Sequence, residues 1–173
     1  VYKRQPPLRA RATVEGMWAR VLAGGVDSIA SDHSPSVTVD KANFADDVWR
    51  AWGGVPGLQT MLPLLLTEGV HKRAMALPLL ARLTATNPAR QFGLYPWKGA
   101  LQPGADADLA IVDLEGSWHV QAADLFQRNQ HSPYLGLTLR GTVERTLVRG
   151  VTVYNRGDFP APPGHGLLLR RIG

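Results

Sequence analysis

The sequence predicts an α/β fold in which helices and a short buried strand fill the first half and β-strands fill the second. Three observations predict it. Val14, Met17, Trp18, Val21 and Leu22 recur at i, i+3, i+4, i+7 and i+8, the apolar face of a helix. Val26 to Ser31 is a short strand-like run that ends abruptly in the polar cluster Asp32-His33-Ser34-Pro35-Ser36. After Pro96 the helical period gives way to short runs rich in β-branched residues. A helix, a buried strand and polar residues at the strand's C-terminal tip form the repeating unit of a parallel α/β barrel, whose strand C-termini carry the chemistry.

Taken in order, the first helix is expected from Thr13, as N-cap, to a stop at Gly24-Gly25. Residues 37–55 have little periodicity and contain Asn43, Asp46, Asp47, Trp49, Trp52, Gly53 and Gly54, so they read as a long loop over a site. Leu58, Met61, Leu62, Leu65 and Leu66 give a second helical face ended by Gly69, with Pro63 either kinking it or marking a different start. A third helix is expected from Pro78 through Leu83, and a short fourth one capped by Asn87-Pro88 and ended by Gly93. Strands are expected at Leu109 to Val112, Ser117 to Val120, Val143 to Val148 and Val151 to Tyr154, with Arg149-Gly150 as a hairpin turn. Residues 155–173, rich in Pro and Gly, read as an extended tail.

The 173 residues, 45% apolar and 19% charged, can bury a core of their own. The absence of cysteine excludes disulfide frameworks, thiolate metal sites and cysteine nucleophiles, and agrees with a cytoplasmic setting. No apolar run approaches the roughly 20 residues of a membrane helix. The net charge of +5 is concentrated at the ends: residues 1–20 carry +4, Arg170 and Arg171 add +2, and the rest is −1. A nucleic-acid face interleaves Lys and Arg along one element, so this distribution argues against one. Residues 1–5 flank no periodic element, and codons that would encode them reproduce a transposon end used in preparing sequencing libraries. They are read as adapter-derived, with a native basic tail as the alternative.

Asp32-His33 is the strongest local candidate for chemistry, since a carboxylate and an imidazole at a strand tip can bind a metal or exchange protons. An Asp in that place also caps turns. Gly53-Gly54 could let a ligand approach the backbone or serve an ordinary turn. His33, His71, His119, His131 and His165 include no pair at i, i+2 or i, i+4 spacing, so a self-contained local metal centre is not expected. There is no G-x-S-x-G elbow and no glycine-rich phosphate loop.

Seven ordered segments resemble the C-terminal portion of the cyclic amidohydrolases, the family of allantoinase, dihydroorotase and the hydantoinases. They are Pro6-Pro7-Leu8-Arg9, Ser31-Asp32-His33-Ser34-Pro35, Ala51 to Gln59, Asn87-Pro88-Ala89-Arg90 through Leu94, Lys98-Gly99 with Pro103 to Leu109, His131-Ser132-Pro133-Tyr134 with Gly136, and Val148-Arg149-Gly150 with Val153-Tyr154. The Asp-His-Ser-Pro run, Trp52-Gly53-Gly54 and the Phe159-to-Gly164 tail are most similar to the allantoinase branch. Dihydroorotase-like chains more often have Ala and His where this chain has Ser34 and Val37. Hydantoinase-like chains tend to carry Asn before the glycine pair.

The resemblance implies a TIM-like (β/α)8 barrel followed by a small β-sandwich. Residues 6–95 would supply the C-terminal part of the barrel, 96–157 the sandwich strands and 158–173 a tail. A barrel needs roughly 250 residues, so the chain would be a fragment. The implied reaction is metal-dependent hydrolysis of a C–N bond in a small cyclic amide or ureide, allantoin first, with dihydroorotate and hydantoins as alternatives and a catalytically silent scaffold as another. Two divalent ions, zinc, would activate water, and a carboxylate would accept its proton and return it to the leaving nitrogen. Asp32 matches that carboxylate and metal ligand. Gly53 and Gly54 align with loop backbone that holds the substrate ring. His33 matches no family ligand and would support the site through hydrogen bonds. The other ligands would lie upstream, and a homo-oligomer is implied for the complete protein.

Overall fold

The computed structural model describes residues 3–37, 39–42 and 47–169. The first helix, α1 (Arg11–Leu22), begins two residues before the expected cap. The Thr13 amide already donates to the Ala10 carbonyl, so Thr13 lies inside the first turn and caps nothing. Its C-terminus closes as expected. Gly24 takes φ +76°, its amide bonds to Val21 O, and the Gly25 amide reaches back to Arg20 O, the double closure of a Schellman turn.

The expected strand at Val26 to Ser31 is absent among the described residues. A strand exists only against a partner. Here the run has one amide, Ile29 N, bonded to Leu83 O, and the next pairing is an isolated parallel bridge between His33 and Val55. Within the expected loop, residues 39–42 form one short helix, α2 (Val39–Ala42), while Asn43 and Asp46 lie outside the described residues. Asp47 organises the following turn, its carboxylate accepting the Trp49 amide at 3.0 Å.

Pro63 is the third residue of α3 (Met61–Leu65), where its missing N–H would have had no helical partner, so it marks the start and does not kink the helix. The helix does not stop at Gly69 and widens into π-helical turns at Leu66–His71. α4 (Leu77–Ala81) has Pro78 in its first turn, as expected, then runs through a π-helical turn, Arg82–Thr86, into α5 (Asn87–Gln91). One continuous helix therefore replaces the expected pair. Asn87 caps nothing; its side-chain amide donates to Asp27 O at 2.7 Å. Pro88 offers no N–H to the preceding turn, and the π widening just before it accommodates that loss.

The second half is a three-stranded antiparallel sheet, β1 (Leu109–His119), β2 (Thr138–Val148) and β3 (Val151–Asn155), in that order. The two short strands expected at 109–112 and 117–120 are one, with an irregularity between Asp113 and Ser117 that hid its continuity. Arg149 and Gly150 both have positive φ, 49° and 79°, as the two central residues of a type I′ hairpin turn require.

The sheet packs on the helices. Leu66, 1% exposed, sits against Gly141, whose φ of +98° and missing Cβ make room for it. Val21, Leu65, Leu66, Met75, Leu80 and Leu83 form the main core, with Val112 and Leu114 of β1 laid against it. Thr67 joins the layers further, its hydroxyl accepting the Arg140 amide at 2.8 Å. Phe126, Tyr154 and Phe159 stack edge to face and hold the start of the tail. No helix of the described residues is long and apolar enough to cross a membrane.

A clamp pins the β1–β2–β3 end of the sheet. Lys98 pairs with both Asp106, at 2.8 Å, and Asp108, and Asp108 also accepts the Arg149 amide at the hairpin. Burial pushes the Asp108 carboxyl up, but Lys98 and the Arg149 amide outweigh it and hold the value below the ordinary 3.8. A depressed folded-state pKa contributes stability that is complete above the unfolded value. It drains away as pH falls below about 3.8 toward the lower folded value. Asp108→Ala should therefore cost roughly 1–2 kcal/mol at neutral pH, through the Arg149 amide left without its acceptor and the loss of one of the two carboxylates on Lys98. It should also lose part of the wild-type's sensitivity to acid in this range, as thermal melts across pH 2–6 would show.

Candidate active site

The chain turns sharply at the tip expected to carry chemistry. Asp32 takes φ +47°, a left-handed conformation that Asp tolerates better than most residues. Asp32 and His33 consequently serve different surroundings.

The Asp32 carboxylate borders a cavity of about 260 Å³, lined also by Ser34, Trp52, Gly53, Gly54 and residues 3–5. Its Oδ2 pairs with the Arg4 guanidinium at 2.6 Å, and its side chain is 66% exposed. No group among the described residues contacts Oδ1. The two glycines thus share a cavity with Asp32, as the sequence reading grouped them.

The reason glycine stands at both positions is close backbone approach. A Cβ on Gly54 would overlap Ser34, coming 2.5 Å from its carbonyl oxygen, and one on Gly53 would come 2.7 Å from the Gln5 Cβ. The Gly53 carbonyl accepts the Gln5 amide at 2.9 Å. The amides of Gly53 and Gly54 have no protein acceptor among the described residues. Asp32 and the two glycines therefore line one cavity. This arrangement suits a ligand with a carbonyl to accept and a proton to exchange.

His33 faces elsewhere. Its Nδ1 accepts the amides of both Gly57 and Leu58 at 3.1 Å. The Ser34 amide donates to Val55 O at 3.0 Å, so residues 54–58 wrap around His33 and Ser34.

Around these residues lie others, of which Lys41 gave no sequence signal. Lys41 is buried, and its ammonium donates to the carbonyls of Trp52 and Lys3 at 2.9 and 3.2 Å. Burial first, then the neighbouring Arg4 and Lys3 charges, lower its pKa. Trp52 donates its indole N–H to Ser34 O at 3.2 Å. His131, from the His-Ser-Pro-Tyr run, is buried, and burial together with Lys41 holds its pKa below the ordinary histidine value. Lys3, Arg4 and Gln5, given no place in the fold by the sequence reading, lie along this loop. A lysine that reaches main-chain carbonyls belongs to no spaced motif, so sequence alone did not single it out.

A larger hollow of about 720 Å³ lies between the sheet and the start of α3. Its acidic groups are engaged: Asp124 accepts the Trp118 indole N–H at 3.0 Å, and Glu144 pairs with Arg156. The candidate site is the Asp32 cavity, where among the described residues a carboxylate oxygen and the Gly53 and Gly54 amides have no hydrogen-bond partner. Among the described residues no three His, Cys, Asp or Glu side chains cluster as a metal site, so Asp32 can contribute one ligand to a centre completed by other residues.

Comparison with known proteins bears on the family. The amidohydrolase family model matches residues 8–153. The allantoinase of Rubrobacter xylanophilus is 46% identical over 161 residues, 93% of this chain and 35% of that protein. The allantoinase of Solibacter usitatus is 41% identical over 170 residues, covering 98% and 36%. Among solved structures, the L-hydantoinase (dihydropyrimidinase) of Arthrobacter aurescens superposes with a TM-score of 0.87 at 37% identity, over 92% of this chain and 35% of that one. The D-hydantoinase (dihydropyrimidinase) of a Thermus species gives 0.93 at 28% identity, over 98% and 37%. The chain thus spans about a third of the length of the curated relatives it matches. With a family model covering most of its length and relatives that align over nearly all of it, this chain belongs to the amidohydrolase family.

Proposed function

We propose that the protein carrying this chain hydrolyses a C–N bond in a small cyclic amide, with allantoin as substrate and allantoate as product. The observation that carries this reading is the placement of Asp32, Gly53 and Gly54 on one cavity, in a chain whose relatives bear the name allantoinase. In this reading residues 6–95 close a barrel, 96–157 belong to a β-sandwich and 158–173 form a tail. The complete protein is a cytoplasmic homo-oligomer.

Asp32 fits one position of a divalent metal centre, because its carboxylate borders the cavity and Oδ1 has no hydrogen-bond or ion-pair partner among the described residues. Two divalent ions, zinc, supply Lewis-acid activation of water when bound, with their remaining ligands outside this third of the protein. Asp32 accepts the proton of the attacking water on a carboxylate oxygen and returns it to the ring nitrogen as the C–N bond breaks. The Gly53 and Gly54 amides donate to the ring amide and hold the ring against that carboxylate. Trp52 and Lys41 keep the loop in place from behind.

The test is ring opening by the metal-loaded complete protein, assayed on allantoin, dihydroorotate and hydantoin, beside the 173-residue chain alone. We expect turnover of allantoin by the complete protein and none by the isolated chain, since one carboxylate cannot hold a two-metal centre. Preference for another ring would reassign the substrate. No turnover of any ring would make the protein a silent homologue.

A further inference from the structure

We infer that His33 is a positioning residue that fixes the Trp52–Gly54 loop and the start of α3 relative to Asp32, and that it does so as a double acceptor through Nδ1. The inference deepens the reading of Asp32 and the glycine loop as the active site, and it gives His33 a different task from supporting the carboxylate beside it.

The argument begins with the turn at Asp32. Its left-handed backbone separates the two neighbouring side chains, with the carboxylate at the cavity and the imidazole under residues 57 and 58. α3 begins at Met61 without any side-chain cap at Thr60. The Thr60 hydroxyl donates to Gly57 O, so the turn of residues 57–60 is closed from one side by Thr60 and from the other by His33. Both amides at 3.1 Å converge on one ring nitrogen, which must then carry a lone pair and no proton. The ring proton sits on Nε2.

The next residue, Ser34, ties the same segment by two further contacts. The Ser34 amide holds Val55 O, and Gly54 lies against Ser34 so closely that no Cβ fits. The backbone from Gly54 to Leu58 is thus wrapped on the two residues that follow Asp32. Moving Gly57 and Leu58 off the ring moves the loop against the carboxylate, while Asp32 itself stays on its own turn. The expected consequence is poorer substrate positioning with the proton-transfer group retained.

The geometry of the acceptor supplies a sharp test. Asn carries Oδ1 at the same branch point as Nδ1 of histidine, whereas Gln carries its oxygen one bond farther out. His33→Asn, His33→Gln and His33→Ala should be compared with the parent in the complete protein. The two readouts are amide hydrogen exchange at Gly57 and Leu58, and kcat and KM on the cyclic amide. We expect exchange at these two amides at least about 10-fold faster in the Gln and Ala variants and near parental in Asn. KM should rise several-fold in Gln and Ala with a smaller change in kcat, and Asn should restore it. Should His33→Ala fail to fold, the Asn and Gln pair carries the comparison. Unchanged exchange in His33→Ala, or Gln rescuing as well as Asn, would overturn the inference. If the parent turns over no ring at all, the functional reading fails while the exchange data still decide what His33 holds.

Discussion

Asp32→Asn should lower kcat by at least about 10²-fold while most of the metal stays bound. Asn is nearly isosteric and keeps one oxygen able to face a cation, but its amide cannot accept the proton of the attacking water. The factor is the usual contribution of a positioned acid or base. The exposure of the carboxylate limits any structural contribution: its side chain is 66% exposed and its ion pair is with Arg4, and such pairs add little to stability. Melting temperature should therefore hardly change. Measuring kcat, metal content and melting temperature on the same preparation separates catalysis from capping. A normal kcat with a depressed melting temperature would end the catalytic assignment.

Gly54→Ala should be the most damaging single-methyl change near the cavity. The added Cβ would fall 2.5 Å from the Ser34 carbonyl, a backbone atom that cannot swing aside as the end of a side chain does. Either residues 53–55 or residues 33–34 must shift, and in both cases the two free amides leave their place beside Asp32. We expect kcat/KM to fall by about 10- to 100-fold, with bound metal unchanged and stability lowered by roughly 1–3 kcal/mol, the usual cost of overpacking. Gly53→Val should be milder in stability, since the atom its Cβ meets first is the Gln5 Cβ, 2.7 Å away, and not a backbone carbonyl. It should still raise KM or lower kcat/KM. Unaltered kinetics in both variants would return the glycines to an ordinary turn.

The sequence made some of this legible and hid the rest for identifiable reasons. The face of α1 and its Gly24 stop follow from local spacing and from a backbone conformation that glycine favours, and the structure keeps both. The Arg149-Gly150 turn was readable for the same reason. The strand at 26–31 was not, because strand formation depends on neighbours that local sequence does not contain. The π-helical turns at 66–71 and 82–86 alter the period that periodicity arguments rest on, so helix ends placed at Gly69 and Asn87 were misjudged. At the site, Asp32 and the glycine pair stood out by type and order. The contacts that set their geometry, Lys41 to Trp52 O and His33 to Gly57 and Leu58, join residues by main-chain atoms, which every residue possesses.

The meeting of Gly141 with Leu66, beside the Thr67 hydroxyl on Arg140, also bears on how the chain folds. A notch filled by one side chain and a hydroxyl bonded to a neighbouring strand leave no plane along which sheet and helix can part without exposing Leu66 and orphaning the Arg140 amide. Residues 61–71 and 138–148 are thus a single cooperative unit, protected or opened together, although some seventy positions separate them in the chain. Docking two elements so distant closes a long loop, which places their association late in folding, after α1 and the local hairpin at Arg149-Gly150 have formed.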